Sequence, residues 1–114
     1  MKLPNRERAV IPEAKLREYL LSFTHAHGRH KAVFFGRCGF TQERWQELAS
    51  ALRAHVEIHD VGKLEETPFG TRYAVEGDLS TPVGRVVRVR TVWYVERGED
   101  FPRFVTAYPL EARR

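Results

Sequence analysis

A single cysteine, Cys38, occurs in the 114 residues, so no disulfide can form within the chain. A chain of this kind suits a reducing compartment, and a lone cysteine near a helix end is expected as a small buried hydrophobe. No apolar run approaches the ~20 residues needed to cross a bilayer. The opening MKLPNRERAVIPEAK is charged and proline-interrupted where a signal peptide would carry an apolar core. These absences predict a soluble cytoplasmic protein with no membrane partner. There is no Gly-rich phosphate loop and no dinucleotide fingerprint, so no cofactor is expected. Metal ligation is equally poorly supported. His25 and His27 stand two apart with no Asp, Glu or Cys beside them, and the helix bearing His55 is expected to end before His59.

Acidic residues are also missing from two long stretches. None lies between Glu18 and Glu43, where Arg29, Lys31, Arg37 and three histidines occur. None lies between Asp78 and Glu96, where Arg85, Arg88 and Arg90 occur. The net charge of +4 comes from the first half, since residues 1–56 hold ten Lys and Arg against five Glu. If the fold brings the two stretches together, they form a positive face suited to an anionic partner; apart, they are two solvated basic surfaces.

What is present reads as an ordinary globular composition, 42% hydrophobic and 30% charged. A chain of this length can bury roughly two thirds of its unfolded surface, enough for one core. We read one domain over 1–114, with an irregular lead-in at 1–11 and a frayed tail at 110–114. Pro12 suits the first position of a helix, and Leu16, Tyr19, Leu20 and Phe23 recur at helical spacing, predicting a helix over 12–23. A loop at 24–28 leads to a short helix over 29–38, stopped by Gly39. Thr41 suits an N-cap for a third helix over 42–55, marked by Trp45, Leu48, Ala49, Leu52 and Val56. Beyond Val56 the pattern changes to alternation of β-branched or aromatic with polar residues, punctuated by Gly and Pro. Strands are expected over 57–66 (broken at Gly62), 71–79, 85–96 and 101–108. The fold class is therefore α+β, about three N-terminal helices packed on one face of a C-terminal four-stranded antiparallel sheet.

Alternation sorts the long third strand. Val87, Val89, Thr91, Trp93 and Val95 share the more apolar face, expected to meet the helices; Arg88, Arg90, Val92 and Tyr94 share the open face. Arginines so placed suit bidentate phosphate contacts, unless Glu65, Glu66 or Glu76 pairs with them across strands. Trp93, Phe104 and Tyr108 are expected in the core more than on a base-stacking surface. The run His25, His27, Arg29, His30 and Lys31 falls at a helix N-terminus, where anions are favoured. Histidine exchanges protons near neutral pH, and a lysine or arginine can offset charge developing on phosphorus. RNA supplies its own nucleophile, the 2′-OH, so its cleavage needs from a protein little more than a base, an acid and cations.

The segment Gly28-Arg29-His30-Lys31-Ala32-Val33-Phe34-Phe35 followed by Gly39-Phe40-Thr41 resembles a G-x-x-K-A-x-x-F…G-(F/Y) motif. It belongs to a family of small bacterial domains without an assigned function. Lys15 to Leu21, Val89 to Trp93 and Pro102 to Pro109 fit the same pattern, so the resemblance spans about Leu3 to Pro109. Related sequences occur as C-terminal toxin modules of contact-dependent and polymorphic toxins, which share the fold of barnase, EndoU, colicin nuclease domains and RelE-type toxins. The resemblance implies a metal-independent endoribonuclease-like toxin acting on RNA and held in check by a small cognate antitoxin or immunity protein. It implies Lys31 as the transition-state cation, with His30, Arg90 and Thr106 completing the catalytic set. His27, Arg29, Arg88, Thr91 and Arg103 are then expected to bind the nucleic acid. The alternative is a non-catalytic RNA- or protein-binding module of the same fold.

Overall fold

A computed structural model describes residues 1–110. Among the described residues, a 3-10 turn at Arg6–Arg8 and three longer helical segments precede a four-stranded antiparallel meander of order β1-β2-β3-β4, as expected from the change of period near Val56. The strands are β1 Val61–Thr67, β2 Gly70–Ser80, β3 Val86–Glu96 and β4 Arg103–Pro109. The register of β1 shifts between Val61 and Lys63, where Gly62 had been read as a break.

The first helix, α1, is shorter than its expected span and of a different kind. One α turn at Glu13–Lys15 runs into a π turn at Leu16–Leu20, with the Leu21 N–H donating to the Leu16 carbonyl at 2.8 Å. Burial supplies the reason. Leu16, Leu20 and Leu21 are all buried. An α-helix cannot stack residues five apart, whereas a π turn does. The chain leaves the helix at Leu21, so Phe23 is 63% exposed rather than part of the stripe.

The second helix, α2, spans Arg29–Arg37. Gly39 ends it with φ of 95°, its N–H donating to the Gly36 carbonyl and the Phe40 N–H to the Phe35 carbonyl. This is the Schellman pattern, in which the residue after the glycine also packs back on the helix, here Phe40 on Phe35. Buried Cys38 lies at this end, and burial raises its thiol pKa. The third helix, α3, spans Trp45–Ile58, about one turn later than expected. The N-cap position falls on Arg44 rather than Thr41, whose hydroxyl accepts the Arg44 N–H in the turn ahead of the helix. At the far end His55 and Val56 are both buried, and carrying the helix through them keeps both on the core side with Leu48 and Leu52.

The helices cover one face of the sheet. Val75, Leu79, Val89, Trp93, Phe104 and Ala107 point into that core, with Trp93 and Phe104 in edge contact at 5.3 Å between ring centroids. The lead-in also belongs to the core, since Leu3, Ala9 and Ile11 are buried and Val10 bridges to Arg103 beside β4. The Leu110 N–H still donates to the Arg88 carbonyl, so the chain is not frayed at Leu110; the rest of the expected tail, 111–114, falls outside the described residues. Among the described residues no helix is long and apolar enough to cross a membrane.

Candidate functional site on the open face of the sheet

The face of the sheet turned away from the core has its own order. Register places Glu76, Arg90 and Tyr108 in one row across β2, β3 and β4. The next row is Ala74, Val92 and Thr106, and the one beyond it Arg72, Tyr94 and Arg103. The middle row is short-chained and its neighbours are long. A recess of about 190 Å³ therefore forms over Ala74 and Val92, walled by Arg72, Arg90 and Tyr108 and rimmed by Lys63 and Glu65.

At the β4 edge of this face α1 and α2 meet. Gly28, immediately before α2, permits it: a Cβ there would lie 2.2 Å from the backbone oxygen of Tyr19. One turn later Lys31 extends its ammonium to the same tyrosine. Its Nζ donates to the Tyr19 hydroxyl at 2.5 Å and to Thr106 Oγ1 at 2.9 Å, and the two hydroxyls stand 3.2 Å apart. Nζ also lies 4.9 Å from the Tyr19 ring centroid and 6.0 Å from that of Tyr108, within cation–π range. The spacing of glycine and lysine in the G-x-x-K motif is thus geometric: the glycine seats the helix against Tyr19, and the lysine reaches the phenol from the next turn.

Lys31 has no carboxylate partner among the described residues. An ammonium has three donors, and two are held by Tyr19 and Thr106. Burial by itself would raise the Tyr19 phenol; the hydrogen bonds from Lys31 and Thr106, with the charges of Lys31 and Lys15, outweigh it and hold the phenol below its usual value. His25 completes the surroundings. Its Nδ1 accepts the backbone N–H groups of His27 and Gly28 at 3.0 and 3.1 Å, and its ring meets that of Tyr19 edge-on at 5.0 Å.

Of the two readings open for Arg90, a free phosphate ligand or a cross-strand ion pair, the structure shows the pair with Glu76. Its Nε and Nη2 both donate to Oε2 of Glu76, and Nη1 donates to the Tyr108 hydroxyl at 2.9 Å. Hydrogen bonds to Glu76 and Tyr108 raise its pKa further. Oε1 of Glu76 has no partner among the described residues. Arg103 likewise pairs with Glu99 and stacks on Phe101 at 5.0 Å.

The other expected residues divide by face. Thr91 lies on the core face with no exposure, taking the Trp93 indole N–H at 2.9 Å and donating to the Val75 carbonyl, so it does not reach the open face. Arg88 is exposed opposite Asp78, at the end of the row-forming strand beyond Arg90. His27, Arg29 and His30 are exposed around the start of α2, and no polar contact ties His30 to Lys31, Tyr19 or Thr106. Of the aromatics, Trp93 and Phe104 are core, whereas Tyr108 belongs to the site. The fold thus brings together Lys31, Thr106 and Arg90 and adds Tyr19, Tyr108 and Glu76, which sequence reasoning had counted as helix stripe, core aromatic and bland ion-pair partner. The available signal for Tyr19 was its place within the segment Lys15–Leu21 that matched the motif. Among the described residues no three His, Cys, Asp or Glu side chains gather closely enough to hold a metal ion. A larger groove of about 480 Å³ beside α2 is walled by Leu21, Phe23, Val33 and Phe40, with Arg37 and Glu43 also lining it.

The fold has a counterpart among solved structures. A chain of the contact-dependent growth inhibition toxin–immunity protein complex from Klebsiella pneumoniae 342 superposes with a TM-score of 0.71. The match covers 89% of this chain and 99% of that one at 17% sequence identity, which is a likeness of fold. No curated protein matches the sequence. A family model does, over residues 2–111, and the chain belongs to that family, described as Domain of unknown function (DUF6883).

Proposed function

We propose that this chain is a toxin domain that cleaves RNA by attack of the 2′-OH on the adjacent phosphodiester, restrained by a cognate immunity protein or antitoxin. The observation that supports the chemistry is the fixed ammonium of Lys31. A lysine held by two hydroxyls, with no carboxylate beside it among the described residues, has one free donor, and it does not have to reorganise when charge develops on phosphorus. Arg90, paired with Glu76 and locked by Tyr108, adds an oriented guanidinium along the same face. Basic groups left exposed around α2, Arg29 among them, extend that field toward a polyanion. The toxin role is supported by the likeness of fold to a chain of a toxin–immunity complex, and the same likeness motivates the immunity partner.

The test is induced expression in a bacterial host, comparing the unaltered chain with Lys31→Ala and mapping new RNA 5′ ends. Purified protein is assayed in parallel on total RNA in the presence of EDTA. Growth arrest and cleavage that persist in EDTA and vanish in Lys31→Ala carry the reading. Normal growth and intact RNA at confirmed soluble expression overturn it. Saturable RNA binding that weakens steeply with salt would then identify a binding module on the same face.

A further inference from the structure

We infer that Tyr19 is the general acid of this site, giving its phenolic proton to the departing 5′-oxygen while Lys31 holds the phenolate left behind; this rests on the ribonuclease reading above. The inference begins from donor counting. Lys31 donates into the Tyr19 oxygen at 2.5 Å, so that oxygen is an acceptor in this contact and its own hydrogen is directed elsewhere. Thr106 Oγ1, which accepts from Lys31 at 2.9 Å, lies 3.2 Å from the phenol and can donate its own hydrogen to the Tyr19 oxygen, so the Tyr19 hydrogen is left for a substrate oxygen. A phenol backed by an ammonium becomes a better acid, because the anion formed on proton loss is paired the moment it appears. The groups that face it agree in sign or are neutral: Lys31 from α2, Lys15 from its own helix, Thr106 from β4 and the His25 ring from the preceding loop. The lowered phenol pKa follows from this arrangement and is consistent with it.

His30, expected among the catalytic residues although it falls at a variable position of the G-x-x-K motif, makes no contact with this cluster, whereas Tyr19 is half-buried at its centre. The π turn at Leu16–Leu20 contains Tyr19, and such turns recur at functional sites.

The complementary base is Glu76. One oxygen, Oε2, is fixed by Arg90, and Oε1 is open toward the same face. From Glu76 the contacts run through Arg90 and Tyr108 to Lys31 and Tyr19, so acid and base stand at opposite ends of one line of cations. The proton balance closes. The 2′-OH proton passes to Glu76 as the O2′–P bond forms. The P–O5′ bond breaks, and O5′ takes the proton of Tyr19. The products are a 2′,3′-cyclic phosphate and a free 5′-hydroxyl, and the net proton returns from Glu76 to the phenolate through solvent.

The experiment uses two oligoribonucleotides that span a cleavage site mapped with the unaltered protein. One is natural; the other carries a 5′-bridging sulfur at that site, whose thiolate departs without protonation. Tyr19→Phe is expected to cut the natural RNA about 10²–10⁴-fold more slowly. On the sulfur-bridged RNA it is expected to approach the unaltered rate, within about tenfold, because only the proton donor is missing. The rescue also shows that the variant folds. Glu76→Gln is expected to be slow on both RNAs. Equal loss on both substrates for Tyr19→Phe, or undiminished cleavage of the natural one, overturns the acid assignment while the ribonuclease reading stands. Undiminished cleavage by Glu76→Gln overturns the base. Absence of cleavage by the unaltered protein overturns the reading and the inference together.

Discussion

Substituting Gly28 by alanine tests the link between the G-x-x-K motif and the architecture without reference to any activity. Gly28 has φ of −103°, ordinary for any residue, so the glycine is not there for backbone freedom. The constraint is contact: the added Cβ would sit 2.2 Å from the Tyr19 carbonyl oxygen and 3.0 Å from its carbonyl carbon. Backbone cannot swing aside as a flexible side chain does, so α1 and α2 must separate. Overpacking of this kind costs about 1–3 kcal/mol. No helix-propensity gain offsets it, because Gly28 precedes the helix, where alanine is no better than glycine. For a domain of this size the melting temperature should fall by roughly 4–12 °C, at about 4 °C per kcal/mol. Gly36→Ala supplies the control. It lies inside α2, its Cβ would meet only Phe23 Cζ at 3.5 Å, and the same chemical change should stabilise by about 0.5–1 kcal/mol. Thermal melts followed by far-UV circular dichroism read both. A Gly28→Ala protein that melts with the unaltered chain, or a Gly36→Ala protein that loses as much, would refute the steric account.

Two further expectations concern the core. Thr91→Val leaves the buried Trp93 indole N–H without its acceptor and should cost about 1–3 kcal/mol, measured by urea denaturation with tryptophan fluorescence; an unchanged midpoint would refute it. His55 is buried between the carbonyls of Asp78 and Val75, and burial lowers its pKa despite both. The unfolded chain therefore binds a proton at His55 more readily than the folded one. That contribution is fully present above the ordinary histidine pKa of about 6.5 and lost as pH falls below it. Urea midpoints should drop from pH 7.5 to pH 5, with a shallower slope in His55→Gln; identical slopes would remove His55 from the explanation.

Much of the architecture was legible in the chain because it is written in periodicity. The helical stripe of Leu48, Leu52 and Val56 and the alternation of Val87, Val89 and Trp93 are local patterns, and each depends only on which face must leave water. The exclusion of disulfides and the concentration of positive charge in the first half were likewise plain from composition. Positions where several local solutions compete were less legible. Three leucines at 16, 20 and 21 are buried together through a π turn, a choice among local solutions settled by what packs against them. The same holds for charge. Sequence placed Arg90 on the open face, but only strand register set Glu76 beside it and turned an apparent free cation into one end of an ion pair. Tyr19, Lys31 and Thr106 are separated by 12 and 75 residues along the chain and meet because α1, α2 and β4 share an edge. Local sequence determines which face of each element is apolar; which polar groups on different elements meet depends on register and packing, and these exist only once the core has closed.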